Sequence, residues 1–365
     1  MGMGAPENVG HLQQLGGTRL VTLQDGVERG VRVVEFRTAA GLDFGVLVDR
    51  AMDIAWCRYN GRSISWLSPV GLIGPWYREP EGLGFLRTFQ GGLLVTCGLD
   101  HVLGPAEDPR DTYGYPGRTS ARYGLHGRVS NTPALLRRYG EVRRGEDWEL
   151  EAVGEVVQAG ALAENLVLTR RLSTSLRGRS IVWDDEVENR GHQSAPHMLL
   201  YHVNLGAPLL DPSCELAAPI QEVVSRTPSA TGGPDEHLRF TNPTPDFVEQ
   251  VFEHRMESDA DGRVRVALLN RADPASPWGV VLDYDATTLP HFLQWRHFAS
   301  GTYALGLEPS TTGLIGRALT RAQGELTMLE PGERLAYRTE LSILDGAEEC
   351  DQALRSIAHL PADEP

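Results

Sequence analysis

Two polar side chains lie within strongly apolar runs of the sequence, and both are of types that catalyse proton transfer. His202 lies in residues 198–205, where Met198, Leu200 and Asn204 share its face if the run is a strand. Two polar and two apolar groups on one face predict the floor of a pocket. A hydrogen-bonded histidine in a structural core is the alternative interpretation of the same pattern.

The second polar side chain is Glu308, which follows an apolar run and directly precedes Pro309. This position predicts the end of a strand. Burial there would raise the pKa of the carboxyl and make it a usable base near neutral pH. An ion pair or a turn carboxylate is the alternative interpretation.

Two further histidines lie in glycine-rich surroundings. His126 lies in residues 123–128, between glycines that allow the backbone to approach a ligand closely, although a histidine packed on its own turn fits equally well. His101 follows residues 97–100 and begins a long loop, which makes it a weaker candidate for a site.

Arginines and aromatic residues complete the set of candidates. An arginine fork and a tryptophan face suit a polyhydroxylated ligand, because they supply planar donors and a flat apolar surface. Arg50 and Asp53 are candidates, with a structural ion pair as the alternative interpretation. Trp295 is the aromatic candidate, with core packing as the alternative. The remaining candidates are Arg87 in residues 85–92, and Gln294 and Arg296 in residues 290–297, where His291 and His297 face the opposite side.

The charge composition excludes several classes of protein. None of the 365 residues is lysine, and 34 arginines face 49 acidic residues for a net charge of -15. Schiff-base enzymes, Walker-type phosphate loops and the lysine-dependent kinase ion pair are therefore excluded. The acidic balance also argues against a nucleic-acid partner, since backbone phosphates are bound by basic patches.

The cysteines and the termini favour a cytoplasmic protein without a membrane partner. Its four cysteines are far apart and form no CxxC pair, which predicts reduced thiols. The first ten residues lack the basic start and apolar run of a signal peptide. No apolar stretch reaches the roughly 18 residues of a membrane span.

The pattern of short apolar runs separated by glycine and proline predicts an all-β fold. With 40 glycines, 23 prolines and few helical periods, the chain favours a large antiparallel β-sandwich with a few short helices. We expect one domain over residues 1–365, with its core at 30–345 and a C-terminal helix at 346–360. A short helix near 8–15 and loops at 79–84, 104–118 and 228–234 are also expected.

The order of these segments resembles the galactose mutarotase (aldose 1-epimerase) superfamily over residues 30–345. The matching segments are Leu125–Gly127, His202–Leu205, Leu307–Glu308, Arg87 with Gly91, and Leu329–Glu333 before the last strand. The match is closer to an uncharacterised, domain-of-unknown-function branch than to the standard enzymes. In the standard pattern the catalytic histidine lies where Leu200 stands here, and His202 follows two residues later on the same face. The standard Asn-Arg pair before the first His-Gly motif is not clearly present.

The resemblance implies a mutarotase-like supersandwich that interconverts sugar anomers without a metal or a redox cofactor. It implies Glu308 as the base, His202 as the acid and His126 as a donor to sugar hydroxyls. The partner would be a small sugar, and a homodimer is a further expectation. The expected sugar-binding residues are His101, His126, Arg87, Asn204, Gln294, Trp295 and Arg296, with Trp66 as another stacking candidate.

Two alternatives use the same residues differently. His101, His126, His202 and Glu308 are suitable ligands for a divalent metal, which would make the protein a metal-dependent sugar isomerase or lyase. Metal analysis of protein purified without a chelator tests this alternative. A non-catalytic carbohydrate-binding module is the other, and it predicts ligand binding without turnover.

Overall fold

The computed structural model describes residues 8–109, 117–225, 227, 229, 233 and 235–358. Within this part of the chain, strands far outnumber helices. In chain order the strands are β1 (Gly17–Thr22), β2 (Arg32–Arg37), β3 (Leu42–Leu47), β4 (Asp53–Tyr59), β5 (Arg62–Ser63), β6 (Leu94–Leu99), β7 (Ala106–Asp108), β8 (Ala121–Tyr123), β9 (Leu135–Arg144), β10 (Asp147–Ala159), β11 (Asn165–Ser175), β12 (Ser180–Asn189), β13 (Ala195–Gly206), β14 (Glu215–Ala217), β15 (Ile220–Ser225), β16 (Gln250–Met256), β17 (Arg263–Asn270), β18 (Trp278–Asp285), β19 (His291–Ala299), β20 (Thr302–Ser310), β21 (Thr327–Leu329) and β22 (Arg334–Asp345). The α-helices are α1 (Arg317–Ala322) and α2 (Ala347–Ala358), and 3₁₀ turns lie at Leu12–Gln14, Gly26–Glu28, Pro75–Tyr77, Gly84–Arg87, Val129–Asn131 and Glu236–Leu238.

Two large antiparallel sheets form the body of the molecule. The first sheet has the strand order β1-β2-β3-β4-β6-β13-β20-β19-β16-β15, with β5 beside β4 and β21 beside β13. The second has the order β14-β17-β18-β22-β12-β11-β10-β9, and β7 pairs with β8 separately. The predicted all-β sandwich is confirmed.

Strand β13 runs through the centre of the first sheet and is buried on both faces along its whole length. Its odd-numbered residues, including Leu199 and Tyr201, pack in the core between the sheets with Trp183 of β12. The even-numbered Met198 and Leu200 belong to a second apolar cluster on the opposite face. Alternating side-chain direction therefore gives this strand one face for the sandwich core and one face for another purpose.

A buried ionic network joins the two sheets. Arg170 of β11 lies 3.1 Å from Asp53 of β4 and 2.6 Å from Asp185 of β12, and the Tyr201 hydroxyl donates to Asp185 at 2.6 Å. Arg50 instead donates to two backbone carbonyls. Asp53 is thus paired with Arg170 rather than with Arg50. Removing one partner of such a buried pair typically costs about 3–5 kcal/mol, so we assign this network to stability.

The ends and loops differ in detail from the expectation. The helix expected near 8–15 is a single 3₁₀ turn at Leu12–Gln14. Helix α2 covers Ala347–Ala358 and packs Cys350 and Ile357 against β17, while residues 359–360 of the expected helix lie outside the described residues. The expected loop at 104–118 contains β7, its residues 110–116 are not described, and most of the loop at 228–234 is not described either. None of the described helices is long and apolar enough to cross a membrane.

Candidate active site

A cavity of about 650 Å³ lies on the face of the first sheet that points away from the second sheet. We call it the site cavity. Its floor comes from the even-numbered residues of β13 and β20, and loops near residues 66–70, 83–89, 103–104, 125–126 and 314 cover it. The polar side chains in its wall are Ser68, His126, His202, Glu249, His297, Thr302 and Glu308. The apolar side chains are Trp66, Pro69, Val70, Leu83, Phe85, Leu86, Phe89, Leu103, Leu125, Val251, Leu293, Trp295 and Leu314.

The floor of the site cavity holds His202 and Glu308 in direct contact. Because β13 and β20 are paired neighbours, their cavity-facing residues meet, and Nε2 of His202 lies 3.1 Å from Oε1 of Glu308. Both residues are almost fully buried, at 4% and 3% exposure. The contact lacks the alignment of a regular hydrogen bond, and Glu308 Oε1 has no aligned partner among the described residues. A buried acceptor in this state is suited to a ligand hydroxyl.

Burial makes the neutral forms of these two groups the favoured ones. It raises the pKa of Glu308 well above its usual value, and the negative charge of Glu249 raises that pKa further. Burial also lowers the pKa of His202 to about 3. Between these two pKa values the pair holds one proton, which is the count that a combined acid and base needs.

His126 enters the site cavity from a tightly held turn. Its φ of 58° lies in the left-handed region, which is uncommon for a residue other than glycine and is often found at functional sites. The His126 amide donates to the carbonyl of Leu103 at 2.9 Å, and its carbonyl accepts from the Gly98 amide at 3.1 Å. Burial lowers the pKa of His126 well below its usual value, and the nearby His202 adds to this effect. His126 is therefore a neutral hydrogen-bonding group beside the pair.

Gly127 makes this turn feasible. Its φ is 72°, and a Cβ there would lie 2.5 Å from the Gly98 carbonyl oxygen and 2.6 Å from that of His101. Only glycine fits between these carbonyls, which explains the Leu-His-Gly pattern in physical terms.

Aromatic rings surround the His202 imidazole on several sides. The ring centroids of Phe89 and Trp295 lie 5.1 and 5.5 Å from it, and that of His126 lies 5.8 Å away. Trp66 contacts Trp295 at 5.8 Å. These rings give the pair apolar surroundings and leave flat apolar surfaces along the site cavity.

The structure separates two predicted residues from Trp295. Side chains alternate along β19, so Trp295 and His297 line the site cavity while Gln294 and Arg296 point to the other face. There Gln294 bonds His254 at 3.0 Å, and Arg296 bonds Gln250 at 2.7 Å. Of residues 294–296, all predicted to bind the sugar, only Trp295 therefore lies in the wall of the site cavity.

Three other predicted residues also lie outside the wall of the site cavity. Arg87 is on the surface, 3.1 Å from Glu79, with its side chain 75% exposed. His101 is buried with Nε2 2.8 Å from the Gly104 carbonyl, and Asn204 donates to the His202 carbonyl at 2.9 Å. His101 and Asn204 thus lie behind the wall, where they can support the turn and the strand that carry His126 and His202.

The structure brings in one charged residue that the sequence did not indicate. Glu249 lies just before β16, on the same face as Val251, and accepts a hydrogen bond from Trp295 Nε1 at 3.1 Å. It is exposed at the mouth of the site cavity. No local pattern around Glu249 distinguishes it from an ordinary surface carboxylate.

The metal-ligand set of the alternative interpretation is only partly brought together. His126, His202 and Glu308 share the site cavity, whereas His101 uses its Nε2 on the Gly104 carbonyl. Across the described ranges, no group of three or more His, Cys, Asp or Glu is arranged to hold a metal ion. Metal dependence stays a prediction, and metal analysis of the purified protein would test it.

Solved structures of similar fold include a Klebsiella pneumoniae protein with the provisional name aldose 1-epimerase. It is 23% identical over 95% of this chain and 88% of that chain, with a TM-score of 0.85. A galactose mutarotase-like protein from Clostridium acetobutylicum is 13% identical over 89% and 98% of the two chains, with a TM-score of 0.54. Galactose 1-epimerase from Lactobacillus acidophilus is 12% identical over 90% and 99%, with a TM-score of 0.56.

These likenesses define the class: the protein has the galactose mutarotase-like fold. The predicted resemblance is therefore confirmed. The chain belongs to the family described as Domain of unknown function (DUF4432), whose sequence model matches residues 28–343. No curated protein matches the sequence significantly.

Proposed function

We propose that this protein is an aldose 1-epimerase-like enzyme that interconverts the α and β anomers of a sugar in the site cavity. The observation that carries the proposal is the buried contact of 3.1 Å between His202 and Glu308. Opening and closing an aldose ring requires one acid and one base on the same substrate, and no metal or redox cofactor. The names of the similar structures support the same reaction.

The reaction begins when the sugar enters between the aromatic walls and its hydroxyls bond to the pair. These bonds stabilise the charged form, in which Glu308 is a carboxylate and His202 carries the proton. Glu308 then takes the proton of the anomeric hydroxyl while His202 donates its proton to the ring oxygen. The bond between C1 and the ring oxygen breaks, and its electron pair stays on that oxygen. An open-chain aldehyde results.

Rotation about the bond between C1 and C2 then presents the other face of the aldehyde. The hydroxyl formed from the ring oxygen attacks C1, and His202 recovers the proton of that hydroxyl. Glu308 returns its proton to the aldehyde oxygen, which becomes the new anomeric hydroxyl. Both residues end as they began, and no electrons are gained or lost. His126 holds a sugar hydroxyl during the rotation, since its neutral ring can donate or accept.

Anomer exchange measured by NMR exchange spectroscopy tests this function directly. Purified protein should accelerate the exchange between the anomers of at least one aldose above the spontaneous rate in weak buffer. A panel of neutral pentoses, hexoses and deoxyhexoses provides the substrates. Saturable binding of an aldose without any acceleration would reject the enzyme and favour the non-catalytic binding module.

The pH dependence of kcat/KM follows from the single proton of the pair. Activity should persist down to low pH, because the pair takes up a second proton, on His202, only near the His202 pKa of about 3. Activity should fall as pH rises through the raised pKa of Glu308, because above it the pair holds no proton to donate. The spontaneous rate, measured in parallel, is subtracted.

Glu249→Gln tests the assignment of the alkaline limb to Glu308. The charge of Glu249 helps to raise the pKa of Glu308, so its removal should move the alkaline limb to lower pH. If the alkaline limb does not move, it does not report the titration of Glu308.

A single added carbon should disturb the pair without removing either group. A Cβ at Gly306 would lie 2.4 Å from Glu308 Oε1 and 3.2 Å from His202 Cε1. The flexible end of Glu308 must move in Gly306→Ala, and misplacement of a catalytic group by about 1 Å can cost about 10²-fold in turnover. The free energy of unfolding should fall by at most about 1–3 kcal/mol. Gly10→Ala, where the added carbon contacts nothing within 4 Å, is the control, and equal turnover in both variants would contradict the geometry.

A further inference from the structure

The charges in the wall of the site cavity disfavour an anionic sugar. Among the described residues of this wall there is no arginine, and its carboxylates are Glu249 and Glu308. The chain has no lysine, and burial lowers the pKa of both His126 and His202. A phosphate or uronate group at the mouth would therefore meet the carboxylate of Glu249, with no arginine or lysine in the described wall to pair with it.

Few polar atoms of the wall are left for a sugar that is hydroxylated all round. The Ser68 hydroxyl already donates to the Phe89 carbonyl at 2.6 Å. Nδ1 of His297 contacts the Thr302 carbonyl at 3.2 Å, and Glu249 accepts from Trp295. Once the pair engages the anomeric centre, His126, His297, Thr302 and Glu249 remain for the other hydroxyls. A fully hydroxylated hexose has four hydroxyls besides the anomeric one, so it would need every one of these four side chains, and His297 and Glu249 already use one polar atom each.

Apolar side chains continue from the buried floor to the exposed mouth of the site cavity. The rim leucines, which we define as Leu83 and Leu86, are 59% and 51% exposed. They lie in the loop that also provides Phe85 and Phe89 to the wall. Leucines that stay exposed on the rim of a cavity gain apolar contact when a ligand covers them.

The volume of the site cavity also exceeds the needs of a simple monosaccharide. At about 650 Å³, it lies in the middle of the roughly 300–1,000 Å³ typical of pockets for larger, drug-sized ligands. Space, rim leucines and few polar partners all favour a ligand with a sizeable apolar part.

We propose that the substrate is an uncharged aldose that carries an apolar substituent on the side of the ring opposite the anomeric carbon. This inference rests on the proposed function, which fixes the anomeric carbon at the buried pair. The opposite side of the ring, around C4 and C6, then faces the mouth and the rim leucines. An alkyl, acyl or deoxy group there would be covered by leucine, whereas a phosphate would not be stabilised.

Binding to a defined set of probes tests the inference, with the fluorescence of Trp66 and Trp295 as the signal. The probes are D-glucose and D-galactose, their 4-O-butyl and 6-O-butyl ethers, and their 6-phosphates. Each buried methylene strengthens binding by roughly fourfold, so at least one ether should bind ten times more tightly, or better, than its parent sugar. The phosphates should bind most weakly. Tighter binding of a parent sugar or a phosphate, or no binding of any ether, would overturn the inference.

A variant of the rim leucines ties the preference to this surface. Leu83→Ser/Leu86→Ser should reduce the ratio of ether to parent affinity to near one. Leu135→Ser, at a residue that is 54% exposed on the distant strand β9, should retain the ratio. Both changes are at exposed positions, and melting temperatures check that the variants fold. Leu86→Ser alone serves if the double variant does not fold. A wild-type ratio of ether to parent affinity in the rim variant would overturn the assignment.

Anomer exchange on the same probes separates this inference from the proposed function. Ethers that bind tightly without accelerated exchange would support the apolar substrate surface and reject the enzyme. Accelerated exchange of the parent sugars, with no preference for any ether, would retain the enzyme and reject the apolar substituent.

Discussion

Glu308→Gln should remove nearly all anomer exchange while sugar binding stays close to that of the wild type. Glutamine has nearly the same shape, but its amide cannot take the proton of the anomeric hydroxyl. Loss of a general base typically lowers turnover about 10²–10⁴-fold. Polarimetry gives the rate, and calorimetry gives the dissociation constant for the same sugar.

Glu249→Gln is the matched control, because it makes the same chemical change in the same cavity. Glu249 is exposed at the mouth and contacts Trp295 rather than His202. Its removal should therefore cost far less turnover than the change at Glu308. Wild-type rates for Glu308→Gln on every accepted sugar would reject Glu308 as the base.

His202→Gln should cause the second large loss, again about 10²–10⁴-fold in turnover. The glutamine amide can reach the position of Nε2, which faces Glu308 at 3.1 Å, but it cannot deliver a proton to the ring oxygen. Because imidazole and amide are both neutral when buried, the fold and the binding of the sugar should survive. His254→Gln, in the buried contact with Gln294 on the other face of the sheet, is the histidine control.

The two losses should not add in the double variant. Residues that share one proton act as a unit, so removing both should cost little more than removing one. Losses that multiply fully would mean that Glu308 and His202 act on separate steps, and would contradict the shared-proton mechanism.

The sequence was sufficient for the class of fold because local patterns carry it. Short apolar runs between glycines and prolines predict many strands, and the alternation in β13 already places His202 on a face separate from Tyr201. The candidate pair also follows from local rules, since a carboxylate and an imidazole inside apolar strands are unusual. Their roles remain proposals for the variants above.

The rest of the site depends on contacts between distant segments. Glu249 enters the site cavity because β16 pairs with β19, and Arg87 lies outside it, beside Glu79 on the surface. Neither contact has a local signature. Gln294 and Arg296 show a different limit, because the period of a strand allows alternate residues on one face but does not say which set faces the ligand.

His202 and Glu308 lie on central strands, whereas most other lining residues lie on loops, so the proposed chemistry and the proposed sugar recognition depend on different parts of the fold. The strand that carries His202 is also fixed from behind by Tyr201 and its bond to Asp185, so the reacting geometry inherits the rigidity of the sandwich. Under the proposed mechanism, loop substitutions around the mouth should change the accepted sugar and leave the proton transfer unchanged. We therefore expect laboratory evolution for new sugars to succeed through the 66–70 and 83–89 loops, and to fail when it alters β13.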